Sequence, residues 1–197
     1  MLPFRISICG LNQLAEHTDV SVTNLVSILD PDAPCPDVVS AFGRDRRLEL
    51  RFHDVLDPSP GRVAFGSDHL EVLLEYGRSV PAKWDTHLLV HCSHGMSRSP
   101  AVMALMLAQA MPGVSGATIF SEILRIRPIT WPNIRIVEFG DARLGRAGDL
   151  LSAAKSVYRS QLASRPEWAE ELRRVGRGRE VAAAADGDPL IGLHPAS

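Results

Sequence analysis

The chain has 197 residues, 45% of them hydrophobic and 22% charged, enough to bury a sizeable core as one domain and too apolar for a disordered segment. Its formal charge of -2 provides no overall field for nucleic acid or an anionic membrane, so any grip on an anion must be local. No apolar run approaches the roughly 20 residues needed to span a bilayer, and the start, Met1-Leu2-Pro3-Phe4-Arg5, does not read as an export signal.

Phe4 to Cys9 alternates apolar and polar residues and predicts a strand; Leu11 to Glu16 predicts a short helix. Val22 to Leu29 is apolar and β-branched, a second strand ending at the turn signal Asp30-Pro31. Leu48 to Phe52 alternates as a third strand, and Asp57 to Gly61, with two prolines and a glycine, is irregular. Ser67 to Ser79 predicts a helix with Ser67 as N-cap and Leu70, Leu73 and Leu74 on one face. His87 to Val90 predicts a short buried strand that runs into His91-Cys92-Ser93-His94-Gly95-Met96-Ser97-Arg98-Ser99-Pro100. Pro100 suits the first position of the apolar helix after it, through Met111. Ser115 to Arg127, Asn133 to Leu144, Asp149 to Leu162 and Pro166 to Val175 predict further helices. From Gly176 on, Arg, Gly, Ala and Asp dominate, so 1–175 reads as a single domain and 176–197 as a loosely ordered tail. The pattern predicts an α/β fold: a small, mostly parallel central sheet flanked by helices, with a helical second half.

The three cysteines are Cys9, Cys35 and Cys92. As a sparse, odd set they suggest reduced thiols in a cytoplasmic protein, and their spacings match no zinc pattern. Cys92 differs from the other two in its C-terminal neighbours. A strand ends there, five residues intervene, and a helix starts near Arg98. A loop that short can turn its backbone N–H groups inward and, with the helix N-terminus, form an anion cradle. Gly95 permits φ values that other residues resist, Ser93 and Ser97 are small, and Arg98 offers a planar fork for two phosphate oxygens. A sulfur beneath a bound phosphate is placed for in-line attack on phosphorus.

His91-Cys92, five residues, Arg98-Ser99 resembles the signature of the cysteine-dependent protein tyrosine phosphatases, and Gly95-Met96-Ser97-Arg98-Ser99-Pro100 most resembles the dual-specificity branch. The resemblance runs from about Phe4 to Gly145 and implies a phosphatase-like fold. By matched position it makes Cys92 the nucleophile and Arg98 the phosphate-binding arginine. Ser93, His94, Gly95, Met96 and Ser97 become the rest of the substrate-binding loop. Ser99 would offer its hydroxyl to the departing Cys92 sulfur, His91 would hold the Cys92 neighbourhood by hydrogen bonds, and Asn133 of Trp131-Pro132-Asn133 would brace the loop. His94 stands where many relatives have alanine.

The family's general acid is an aspartate on a loop after the preceding strand, for which the sequence offers Asp54 and Asp57. Asp54 directly follows the third strand and is favoured; Asp57, in the Pro-rich loop, is the alternative. The implied activity is hydrolysis of phosphotyrosine, with phosphoserine or phosphothreonine as a dual-specificity extension, in a phosphorylated protein or peptide. No cofactor, metal, nucleic acid or membrane partner is implied. Three other readings compete. A phosphoinositide or small-molecule phosphatase would be expected to carry lysines in the loop, and this loop has none. A rhodanese-like sulfurtransferase is disfavoured by His91 and by Ser99-Pro100. A phosphopeptide-binding module without turnover is disfavoured by the presence of Cys92, Arg98 and a candidate acid.

Overall fold

The computed structural model describes residues 2–18, 21–43 and 46–186. Four strands, β1 (Arg5–Gly10), β2 (Asn24–Leu29), β3 (Arg47–Arg51) and β4 (His87–Cys92), form one sheet in the order β1-β4-β2-β3, every pair parallel. Successive side chains take opposite faces. Ile6, Ile8, Val26, Ile28, Leu50, Leu88, Val90 and Cys92 enter the main core, whereas Cys9, Leu25 and Leu89 join a smaller one with Leu14, Val39 and Phe42. All six residues of β2 and of β4 are buried, which is why those segments read as apolar runs.

The main core lies between the sheet and α1 (Ser67–Ser79), α2 (Arg98–Ala110), α3 (Gly116–Ile126), α4 (Ile134–Arg143), α5 (Asp149–Ser164), α6 (Trp168–Arg174) and α7 (Gly178–Ala185). Every residue of α2 from Arg98 to Ala108 is buried, so this helix is the hub on which β4, α1, α3 and α4 pack. Two short 3-10 segments, Leu11–His17 and Asp37–Ala41, bear on the smaller core. Among the described residues no helix is long and apolar enough to cross a membrane.

The differences from the sequence-based expectation are local, with one exception. β4 continues through Cys92, so the strand itself delivers the thiol. Gly66, not Ser67, occupies the cap of α1, and its N–H donates to His69 Nδ1 at 3.3 Å. Pro100 is the third residue of α2, which the helix tolerates because its first N–H groups have no intrahelical partner. α3, expected from Ser115, starts at Gly116, with Ser115 as its cap, Oγ accepting from the Thr118 N–H.

The exception is the C-terminal segment, where a loose tail from residue 176 is not what the structure has. Arg177, Glu180, Val181, Ala183 and Ala184 are buried, and α7 packs on α5 and α6. Its alanines are strong helix formers that allow close approach, and Glu180 takes up the charge of Arg177, so a composition that looks solvated is packed. Residues 187–197 lie outside the described residues.

Because all four strands run the same way, the segments after β2, β3 and β4 gather at one edge of the sheet. Parallel α/β sheets place their ligand sites at that edge. Asp30, Asp54 and the loop after Cys92 all lie there.

Candidate active site

The loop from Cys92 to Arg98 is shaped from outside. The Ser93 carbonyl accepts from the Leu11 N–H at 3.1 Å, and those of His94 and Gly95 accept from Arg127 at 2.9 and 3.2 Å. The Met96 carbonyl accepts from the Trp131 N–H at 2.7 Å and the Thr130 hydroxyl at 3.0 Å; that of Ser97 accepts from the Asn133 N–H at 3.2 Å. Five consecutive carbonyls are thus turned outward. In trans peptides the N–H lies opposite the carbonyl, so the amides of residues 94 to 98 turn inward. One of them, Gly95 N–H, donates to Cys92 Sγ at 3.3 Å. Gly95 has φ 70°, and a Cβ there would lie 2.6 Å from the Cys9 carbonyl carbon. Only glycine allows the loop to cross the end of β1 this closely.

Cys92 is buried at the base of the loop, and the Ser99 hydroxyl lies 3.2 Å from its sulfur. His91 is fully buried, its Nε2 hydrogen-bonded to Ser27 Oγ at 2.8 Å. Burial pushes the His91 imidazole pKa down to about 4, with Arg98 acting in the same direction, so it sits neutral beneath the loop.

Arg98 is buried, and its fork is aimed by three acceptors. Nη1 donates to Asp30 Oδ1 and to the Phe52 carbonyl, both at 2.6 Å, and Nη2 donates to Ser93 Oγ at 2.9 Å. Its Nε is buried without a hydrogen-bond partner among the described residues. A buried guanidinium donor needs an acceptor, and a phosphate oxygen would supply one.

Asp54 enters the same cavity, whereas Asp57 does not: the Asp57 side chain is 70% exposed and faces Arg179 at 3.6 Å. Asp54 Oδ1 accepts from Ser97 Oγ at 2.8 Å, Asn133 Nδ2 at 2.8 Å and Arg177 Nη1 at 2.9 Å. Burial works against ionisation of this carboxyl. Arg177, the Asn133 hydrogen bond, Arg98 and Ser97 outweigh it and hold the group below the usual carboxylate range. Asn133 also caps α4, with Oδ1 accepting from the Ile136 N–H at 3.3 Å, so one residue ties helix, loop and aspartate.

The cavity above Cys92 measures about 380 Å³. His94 and Arg62 stand exposed at its mouth, and Met96, Trp131, Leu172 and Val175 form an apolar side. Of the loop residues expected to bind substrate, Ser93 and Ser97 turn their hydroxyls to Arg98 and Asp54. Ser97 gives its hydroxyl proton to Asp54, so its contact with an anion runs through the backbone, whereas Ser93 accepts from Arg98 and keeps its own proton to donate.

Sequence reasoning misses Asp30, Arg127, Arg177 and Glu180. Asp30 reads as a turn residue, although its place after a central parallel strand is a signal for a site residue. Arg127 and Arg177 act across 32 or more residues of chain, which no local pattern reveals. The Arg177–Glu180 spacing, one helical turn, is the available clue.

No protein-family model matches the chain, and no curated protein matches it by sequence. Solved structures do. Human DUSP28 is 18% identical, with 72% of this chain and 94% of that one covered at a TM-score of 0.51. The PTP-2 phosphatase of Cydia pomonella is 19% identical, with 70% and 84% covered at a TM-score of 0.52. The chain therefore shares the parallel-sheet α/β fold of these two solved structures.

Proposed function

We propose that the protein is a phosphatase that hydrolyses aryl phosphomonoesters, phosphotyrosine in a protein or peptide above all, through a cysteinyl-phosphate. The observation that carries this reading is the position of Cys92 Sγ beneath a loop whose five carbonyls are all turned away from it. Cys92 attacks phosphorus, the P–O ester bond breaks, and the inward amides and Arg98 hold the equatorial oxygens. The leaving oxygen takes its proton from Asp54. Although Arg177 keeps that carboxyl ionised, the arriving phosphate dianion adds negative charge beside it and favours uptake of a proton from solvent. In the second step water attacks phosphorus, Asp54 takes its proton, the S–P bond breaks, and Ser99 hydrogen-bonds the departing sulfur.

The apolar side formed by Met96, Trp131, Leu172 and Val175 suits a phenyl ring better than a serine stem. The phosphoinositide alternative has Arg62 and His94 at the mouth, but no lysine within the loop, to meet further phosphates. Matched phosphotyrosine and phosphoserine peptides, a soluble inositol phosphate and thiosulfate should be assayed side by side. Faster release of phosphate from phosphotyrosine is expected. Turnover of inositol phosphate or thiosulfate alone would overturn the assignment.

A further inference from the structure

Arg177 reaches Asp54 from a segment 123 residues further along the chain. Two of the three donors on Asp54 Oδ1 belong to the loop and its brace, Ser97 and Asn133; the charged one is Arg177. No hydrogen bond among the described residues goes to Oδ2. An oxygen already accepting three donors is a poor seat for a proton, so the titrating oxygen of Asp54 is Oδ2.

Arg177 has little freedom to do anything else. Glu180 takes its Nε and Nη2 at 2.7 and 2.8 Å, a bidentate pairing that points Nη1 at Asp54. Glu180 is fully buried and is fixed in turn by the Trp131 indole N–H and the Ile134 N–H. Those donors flank Asn133, whose own N–H holds the Ser97 carbonyl of the loop. Asp54, Arg177, Glu180 and the Trp131–Ile134 stretch therefore close a circuit around one wall of the cavity. A pair serving only to fasten α7 to the domain would not need the third guanidinium nitrogen to end on a carboxylate that faces Cys92.

We propose that Arg177 is a positioning residue for the reaction: carried by the C-terminal segment and aimed by Glu180, it orients the Asp54 carboxyl and sets the pH at which Oδ2 gives up and recovers its proton. This rests on the reading of Asp54 as the acid and base. The charged and titratable groups that face Asp54 across the cavity are Arg177 from the C-terminal segment, Arg98, Cys92 and His94 from the loop, and Arg62 from the stretch before α1. Asp30 lies behind Arg98 and Glu180 behind Arg177. Of these, Arg177 is the cation in direct contact with Asp54.

The test compares the full chain with Arg177→Lys and with the double variant Arg177→Gln, Glu180→Gln, which avoids leaving the buried Glu180 charge unpaired. Two quantities are followed: the carboxyl ¹³C titration of Asp54 and the pH–rate profile on a phosphotyrosine peptide. In the double variant the Asp54 midpoint and the matching limb of the profile should both rise by about 1–3 pH units, the usual influence of an adjacent opposite charge. The lysine variant, which keeps the charge, should bring both back towards the wild-type values. A midpoint and limb that stay in place while the melting temperature falls would overturn the proposal and leave Arg177 a fastening of α7. If instead Asp54→Asn is fully active on phosphotyrosine, the acid assignment alone is overturned, and the carboxyl titration still decides whether Arg177 governs Asp54.

Discussion

Asp30 Oδ1 accepts a 2.6 Å hydrogen bond from Arg98 Nη1, joining the residue after β2 to the first residue of α2. With the Phe52 carbonyl on the same nitrogen and Ser93 on Nη2, this pairing fixes the plane of the guanidinium. Lysine keeps the charge but cannot reproduce that plane. Arg98→Lys should lower kcat for an aryl phosphate by on the order of 10²-fold or more, comparable to removing a preorganised oxyanion donor. Asp30→Asn should cost roughly 10-fold, the weight of one charged hydrogen bond. Steady-state kinetics of both variants check this; near-normal turnover of Arg98→Lys would reduce Arg98 to a structural residue.

Cys92→Ser should abolish turnover while inorganic phosphate or a vanadate-type analogue still binds, because a hydroxyl without an adjacent base is a weak nucleophile. Ser99→Ala removes the hydroxyl 3.2 Å from the sulfur and should slow the second step selectively. Rapid mixing should then show a burst of leaving group, close to one per enzyme, followed by a steady rate roughly 10-fold lower. Adding a chelator should leave the wild-type rate unchanged; a metal-dependent rate would contradict the thiol mechanism.

Asp54→Asn should slow hydrolysis of phosphotyrosine, a poor leaving group, by roughly 10²–10⁴-fold, and that of an activated nitrophenyl ester far less. Asp57→Asn should be nearly neutral on both, as its side chain stands in solvent beside Arg179. The reverse pattern would move the acid to the loop around Asp57 and require that loop to close over the site.

His91 contributes a pH-dependent stability. Its imidazole is held neutral with a pKa of about 4, against about 6.5 in the unfolded chain. Between those values the unfolded state binds the extra proton, so this group's contribution is complete above about pH 6.5 and is lost as the pH falls towards 4. The full difference is on the order of 3 kcal/mol. Denaturant midpoints measured from pH 7 to pH 4 should fall accordingly. His91→Gln, which keeps a donor towards Ser27, should flatten that dependence; an unchanged slope would mean that other groups carry it.

The elements most legible in the sequence are those whose cause is local. The alternation of Ile6 and Ile8, the apolar run of β4 and the Cys92–Arg98 loop each arise from residues within one or two turns of each other. Asn133 is singled out in the sequence because its neighbours Trp131 and Pro132 come with it; that it also caps α4 is seen in the structure. What escapes is set by register and long-range charge. The strand order β1-β4-β2-β3 brings Asp30 beside the loop, and in the sequence its one mark is its place directly after a strand. In the sequence Arg177 is one of several arginines in a charged, glycine-containing stretch. Its place depends on Glu180 and Asp54 being near it in space, and Asp54 lies 123 residues away along the chain.

Glu180 receives hydrogen bonds from Trp131 and Ile134, on either side of the residue that braces the loop, so docking of α7 and shaping of the loop draw on shared contacts. The two equilibria are thermodynamically linked. If α7 is docked in only part of the population, apparent affinity for an oxyanion falls by that fraction. Reciprocity then requires a bound oxyanion to tighten the helix. Amides of α7, although they stand behind Arg177 and not on the loop, should exchange with deuterium more slowly when tungstate fills the loop, so this helix reports on occupancy of the site around Cys92.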